Sequence, residues 1–298
     1  FFTIVLLANY GTTNKQELQN SSFMIFFGLR MALVLLIVYV LKMVNLFNKE
    51  LKQKITLMAT VFILIFFVFY FSGERDYLYR YFILTAFIFY AFSDKNQKKY
   101  FYYIFIPFFI VILPLVNSFK YFGITGQVSN KGVDFIEKFF IADFISASRN
   151  IQFLINNESL WDPFHGYTFW IGIIRGIEPP FINFIDFGAV RWFNETFFSA
   201  DRAGQGFTLV GEGYINFGYF GIIILFIFVG LLIKFLYLKS NKNIYWFTIY
   251  LLSIPTFMYS IRADLANIIS PLFSQIITTI LIILLTNYLG KQLANKTN

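Results

Sequence analysis

Residues 206–238 read GFTLVGEGYINFGYFGIIILFIFVGLLIKFLYL. The stretch has two halves of different chemistry. From 206 to 216 it is glycine-rich and carries Glu212 and Asn216. From 217 to 238 it is apolar except for Lys234. A helix that crosses a bilayer needs about 20 largely apolar residues, and the second half supplies them. The reading is a polar, glycine-bearing approach that runs straight into a membrane span, with Glu212 at its mouth.

The rest of the chain agrees with a membrane protein. Of its 298 residues 58% are hydrophobic and 22% aromatic, while only 13% are charged. That is about half the ~25% charge of soluble domains, too little polar surface to cover a water-soluble globule. The net charge of +8 therefore does not indicate a nucleic-acid binder, which needs basic clusters on a polar surface. Besides 217–238, apolar stretches at 23–44, 55–71, 77–92, 100–116, 244–260 and 266–289 qualify as spans or nearly do. The stretch 77–92 is short and relies on aromatic ends or local thinning. Residues 1–8 are apolar, begin with Phe1 and follow no basic region, so they are expected to be the end of a truncated helix in a C-terminal fragment. The expected fold is an all-α polytopic membrane protein with about seven transmembrane helices plus one truncated at the N-terminus. Its parts are N-terminal spans (1–116), a large loop (117–216) and C-terminal spans (217–298).

The connectors alternate in charge. Lys42, Lys49, Lys52 and Lys54 fall on one side with Lys95, Lys98, Lys99, Lys234, Lys239, Lys242, Lys291 and Lys296. The positive-inside rule makes that side cytoplasmic. The loop of about 100 residues before the fifth span then lies outside, where a long apolar loop is expected to carry function. Within it, 135–155 has apolar residues at helical spacing, suggesting an amphipathic surface helix. Residues 167–177 are apolar but too short to span and end before Pro179–Pro180, suggesting a re-entrant or interfacial helix.

Several chemistries are absent. There is no Cys and a single His, His165, which removes thiol nucleophiles, disulfides and multi-His metal sites. No P-loop, HExxH, GxSxG or Asp-x-Asp pattern occurs. The arginines are distributed instead as a set. Arg30, Arg75, Arg80, Arg149, Arg175, Arg191, Arg202 and Arg262 all fall outside or in the outer half of a span. Arg grips phosphate oxygens through a planar fork, so the set suits a pyrophosphate at headgroup level. Each Arg could alternatively pair with a local acid, such as Glu74, Asp76, Glu178, Asp201 or Asp264.

Within the opening stretch, Gly206, Thr208, Gly211, Glu212, Tyr214, Asn216, Phe217, Gly218 and Gly221 form a pattern that resembles the pre-helix signature of the Wzy-type polymerases of bacterial O-antigen and capsule repeat units. The stretch 165–185 loosely resembles that family's aromatic, Arg- and Pro-containing segment, with Ile173-Ile174-Arg175 in place of its Ile-Pro-Arg form. Arg262 and Asp264 sit where the family often has an Arg–acid pair. The resemblance covers most of 117–289.

It implies a GT-C-like membrane glycosyltransferase in the bacterial inner membrane with its active site on the periplasmic face. Such an enzyme transfers a growing glycan from undecaprenyl pyrophosphate to the terminal sugar hydroxyl of a new lipid-linked repeat. An O-antigen ligase and a flippase of lipid-linked oligosaccharide are the competing functions. The implied partners are the lipid-linked oligosaccharide, the bilayer and a chain-length regulator protein, with no nucleic acid. No cofactor and no metal are expected, because arginines can neutralise the leaving pyrophosphate.

Glu212 is the first candidate general base and His165 the second, with Arg202 as a catalytic cation. Arg30, Arg175, Arg191 and Arg262, with Asn216 and Tyr214, are candidates to bind pyrophosphate and glycan. Second readings stand beside these. Glu212 and Asn216 could cap the fifth span, and His165 could be an ordinary loop residue. Gly218 and Gly221 could let that span pack closely on a neighbour. Trp161, Trp170 and Trp192 could stack on sugars or anchor the interface.

Overall fold

The computed structural model describes residues 23–46, 51–72, 76–92, 98–99, 102–103, 107, 143–177, 187–198, 207–259 and 264–297. Among them all regular structure is helical. Three helices are long and apolar enough to cross a membrane, at Lys52–Phe69, Leu209–Ser240 and Ala266–Tyr288, and shorter apolar helices lie at Met31–Leu46 and Ile244–Met258. The chain divides into two compact units, Phe1–Phe139 and Phe140–Asn298.

In the first unit, α1 (Phe23–Leu46), α2 (Leu51–Ser72) and α3 (Asp76–Phe92) follow the first three predicted spans. The predicted fourth span at 100–116 and the truncated helix at 1–8 lie outside the described residues, apart from 102–103 and 107. The three helices pack pairwise around Leu36, Ile37, Ile65, Leu84 and Ile88, all fully buried. Hydroxyls are tolerated in this apolar contact because they are bonded. Tyr39 Oη of α1 lies 2.7 Å from Thr85 Oγ1 of α3, and Tyr81 Oη donates to the Met58 carbonyl of α2 at 2.9 Å. The far side of α2 exposes Ile63, Phe66 and Phe67, as a lipid-facing helix does.

The second unit holds α4 (Asp143–Asn156), a 3₁₀ turn at Glu158–Leu160, α5 (Tyr167–Ile177), α6 (Ala189–Phe197), α7 (Leu209–Ser240), α8 (Ile244–Tyr259) and α9 (Ala266–Thr297). The described part of the predicted amphipathic segment is helical as α4, and the short apolar stretch forms α5 with the predicted ends. Helix α6 is not among the helices expected in the loop, although its nine residues are amphipathic. Helices α7, α8 and α9 pack in series, and α5 lies against the start of α9. Their shared core is Leu209, Leu225, Val229, Leu236, Ile249, Leu265, Ile268 and Leu272.

Helix α7 is not one rod. Phe217 (φ −142°, ψ 27°) and Gly218 (φ 59°, ψ −140°) leave helical geometry inside it. A short arm, 209–216, is thereby folded onto the beginning of a long arm, 219–240. At 1.5 Å per residue the long arm is about 33 Å, enough to span alone. The reversal brings residues eight apart into contact. A methyl placed on Gly221 would stand 2.0 Å from the Gly213 carbonyl oxygen, and one on Gly213 would stand 2.7 Å from Ile222 Cα. A straight helix would separate these positions by about 12 Å. The glycines thus make the turn itself. At Gly218 an added methyl meets nothing within 4 Å, so its requirement is conformational, and close packing on a neighbouring span does not account for it.

Gly218→Ala forces an L-residue into a backbone region that only glycine occupies readily, at about 1–3 kcal/mol, and Gly221→Ala collides with backbone. Both variants should unfold several degrees below wild type in detergent. Gly230→Ala, on the exposed long arm with open space around the added methyl, should match wild type or exceed it. Thermal-scan fluorescence of the three proteins checks this.

Candidate functional site

The short arm of α7 is built by its own sequence. Thr208 is extended and caps the arm, its Oγ1 accepting from Gly211 N at 2.8 Å. The two turns that follow put Glu212 and Asn216 four residues apart on one face. Asn216 Nδ2 donates to the Glu212 carbonyl at 2.7 Å. Thr208, rather than Glu212 or Asn216, is therefore the cap, and it caps the short arm rather than the span.

That face is turned into protein. Glu212 is 1% exposed and Asn216 0%. Glu212 Oε2 accepts from Leu265 N at 2.6 Å, and Oε1 accepts from Thr168 Oγ1 at 3.1 Å. Thr168 Oγ1 in turn accepts from Asn216 Nδ2 at 2.6 Å, and Asn216 Oδ1 accepts from Gly166 N at 2.9 Å. This line of hydrogen bonds joins the entry to α5, the short arm of α7 and the residue before α9. Each buried polar group in it has a partner, as burial requires.

His165 is the exposed residue at the end of that line. Its φ is 49° and that of Gly166 is 89°, two successive left-handed residues. The backbone is held on both sides of it: Phe164 N donates to the Ile215 carbonyl at 2.9 Å, and Gly166 N donates to Asn216. His165 lines an open pocket of about 420 Å³ with Pro163, Asn216, Phe217, Gly218, Phe220 and Ile224. The pocket lies at the α7 reversal, at the beginning of the membrane-length arm. Beneath Phe164 an aromatic cluster supports the turn: Phe164 meets Trp192 at 5.0 Å between centroids, and Phe193 meets Phe207 at 5.0 Å.

A second buried carboxyl stands nearby. Asp264 is 3% exposed. Its Oδ1 accepts from Asn267 N at 3.1 Å and Asn267 Nδ2 at 2.6 Å, and its Oδ2 accepts from Val190 N at 3.4 Å. Gly188 caps α6 without a side chain, so Asp264 supplies acceptor oxygens to the first turns of both α6 and α9. Helix α5 reaches α9 through glycines at i and i+4. A methyl on Gly172 would lie 3.3 Å from Leu265 Cβ, and one on Gly176 would lie 2.5 Å from Ile269 Cβ, so these two let the helices meet closely.

The candidate residues separate accordingly. His165, Glu212 and Asn216 come together. Tyr214 faces the other way, donating to Glu158 and packing on Trp161 and Tyr219. Arg175 Nη1 donates to the Phe187 carbonyl at 3.1 Å, tying the end of α5 to the approach to α6. Arg191 pairs with Glu195 one turn along α6 at 2.6 Å, both exposed. Arg30 is on α1 with its side chain outside the description, and Arg202 and Arg262 lie outside the described residues. Among the described residues no cluster of three or more His, Asp or Glu side chains is arranged to hold a metal. Thr168 and the pair Gly172–Gly176 are absent from the sequence-derived set. The glycine pair has a readable signal, small residues at i and i+4 in an apolar helix. Thr168 has none.

The model of the family described as O-antigen polysaccharide polymerase Wzy matches residues 3–293 of the chain. No curated protein and no solved structure matches it.

Because Asp264 serves two helix starts, Asp264→Ala should cost about 1–2 kcal/mol of stability. Asp264→Asn, which keeps one acceptor oxygen, should cost less. Thermal unfolding of the two variants in detergent gives the order; equal losses would remove the capping account.

Proposed function

The chain belongs to the O-antigen polysaccharide polymerase Wzy family, a family of membrane glycosyltransferase-type polymerases acting on lipid-linked oligosaccharide, and from that premise we propose the reaction and its site. The donor is a glycan on undecaprenyl pyrophosphate and the acceptor is the terminal hydroxyl of a new lipid-linked repeat. The bond from the anomeric carbon to pyrophosphate breaks, the bond from that carbon to the acceptor oxygen forms, and the acceptor proton passes to a base. The lipid pyrophosphate leaves. Twelve of the sixteen lysines fall in one set of connectors, while all eight arginines fall in the other set or in the outer halves of spans, which supports a site on the periplasmic face of the inner membrane.

The pocket at the α7 reversal carries this reading. Its wall is apolar through Phe217, Phe220 and Ile224, and its proton-accepting side chain is His165. We assign the general base to His165, because its side chain is exposed in the pocket and histidine is the side chain most often used for proton transfer. Glu212 is enclosed with both carboxylate oxygens bonded, so its part in the proposal is to hold the site rather than to touch the acceptor. Arg202 and Arg262, flanking the site in sequence, are proposed to face the leaving pyrophosphate, where fixed cations stabilise growing negative charge. Arg30, Arg175 and Arg191 remain candidates for the same charge or for the glycan, with Asn216 at the pocket; Tyr214, turned toward Glu158 and Trp161, is proposed for the glycan only outside it. No metal is needed in this scheme.

Loss of a general base typically lowers a rate by about 10²–10⁴-fold. A strain lacking the gene should carry surface glycans of one repeat. The wild-type gene should restore long chains, and His165→Ala and Arg202→Ala should not, at equal protein level. A gel of extracted polysaccharide reads the outcome. Loss of all glycan from the lipid anchor would indicate a ligase, and lipid-linked units held at the cytoplasmic face would indicate a flippase.

A further inference from the structure

We infer that Thr168, acting with Asn216, is a positioning residue that sets His165 at the pocket. This rests on the reading of the pocket as the polymerisation site.

The direction of the hydrogen-bond line is fixed by chemistry. The backbone carbonyl of Glu212 can only accept, and it takes one N–H of Asn216 Nδ2 at 2.7 Å. That orients the amide, so its second N–H points to Thr168 Oγ1 and its Oδ1 points to Gly166 N. Thr168 Oγ1, already an acceptor, has its own hydrogen free for Glu212 Oε1 at 3.1 Å. Thr168 is thus acceptor and donor at once. A valine of the same shape can be neither, and a serine can be both.

What the line holds is the backbone around His165. An L-residue at φ 49° is strained by about 1–3 kcal/mol and persists only where its surroundings impose it. Here the restraints are the bonds from Phe164 N to Ile215 and from Gly166 N to Asn216, one on each side of the histidine. Phe217 closes the position sterically, since a methyl on Gly166 would stand 3.1 Å from its ring. Thr168, Glu212 and Asn216 are 2%, 1% and 0% exposed, while His165 opens into the pocket. The remaining lining residues are Pro163, Phe217, Gly218, Phe220 and Ile224 besides Asn216, and none can take a proton at neutral pH. Thr168 and Glu212 do not line the pocket, so what they contribute to chemistry reaches the substrate through Asn216 and the placement of His165.

Two measurements on the full chain test this. In the first, chain-extension rate is compared in membranes at equal protein level. Thr168→Ser should keep at least half the wild-type rate and Thr168→Val should lose about 10-fold or more, since a displacement of about 1 Å can cost 10²-fold. If Thr168 works through His165, the double variant His165→Ala/Thr168→Val should be no slower than His165→Ala alone. Multiplying losses would mean that Thr168 acts independently and would overturn the inference. In the second, the imidazole of His165, the one histidine in this chain, is labelled and observed by NMR without substrate. Thr168→Val should shift or broaden its resonance, and Thr168→Ser should leave it in place. An unchanged resonance in Thr168→Val overturns the positioning role whatever the rate assay gives. A shifted resonance alongside a wild-type protein that extends no glycan upholds the positioning and overturns the polymerase reading alone.

Discussion

At Gly218 the backbone takes φ 59° and ψ −140°, and the α7 chain doubles back on itself. Most of the second unit depends on this reversal. A continuous helix from Leu209 to Ser240 would be about 48 Å long and would carry Glu212 and Asn216 away from α5 and α9. With the reversal, the short arm lies against the beginning of the long one, and its polar face meets Thr168, Gly166 and Leu265. Gly213 and Gly221 are the contact that lets two backbones come this close. The site is therefore a product of one backbone conformation and three glycines, and the polar side chains occupy the geometry those residues create.

The second constraint is polar satisfaction in an apolar protein. A buried hydroxyl, amide or carboxyl without a partner costs several kcal/mol or less depending on its surroundings, so polar groups here are arranged in closed lines. Glu212 and Asp264 both converge on the beginning of α9, where the helix presents unpaired amides. Asp264 adds the start of α6. Two acids and one helix start thereby fix the relative positions of α5, α6, α7 and α9. The described residues hold an exception at Gln275, whose Oε1 is buried without a partner while its Nε2 donates to Thr256 at 3.2 Å.

The sequence made the helical class legible, because 20-residue apolar stretches admit little else. The ends of α5 were legible from its apolar run and the prolines beyond it. The motif from Gly206 to Gly221 was legible as a unit, and its family assignment holds over residues 3–293. Its mechanics were not. Glycines at 218 and 221 read equally as helix-packing residues, and only the positive φ at one and the carbonyl facing the other identify a turn. Glu212 at a membrane mouth reads as a free acid, since no pattern indicates that Leu265, 53 residues away, donates to it. Thr168 was invisible for the same reason: its meaning comes from Asn216, 48 residues on. Helix α6 is short but amphipathic, with Arg191, Asn194 and Glu195 at i, i+3 and i+4 and Ala189, Phe193 and Phe197 at i, i+4 and i+8, so its period is present in the sequence even though no helix was expected there.

The central claim is that the pocket at the α7 reversal joins lipid-linked repeats with His165 as the base. Purified full chain in proteoliposomes supplied with one lipid-linked repeat unit tests it most directly. Glycan length and free lipid pyrophosphate are followed together. The account predicts stepwise growth with about one lipid pyrophosphate released per linkage, and a rate at least about 100-fold lower for His165→Ala. Growth at the wild-type rate in His165→Ala, or pyrophosphate release without linkage of repeats, would contradict it.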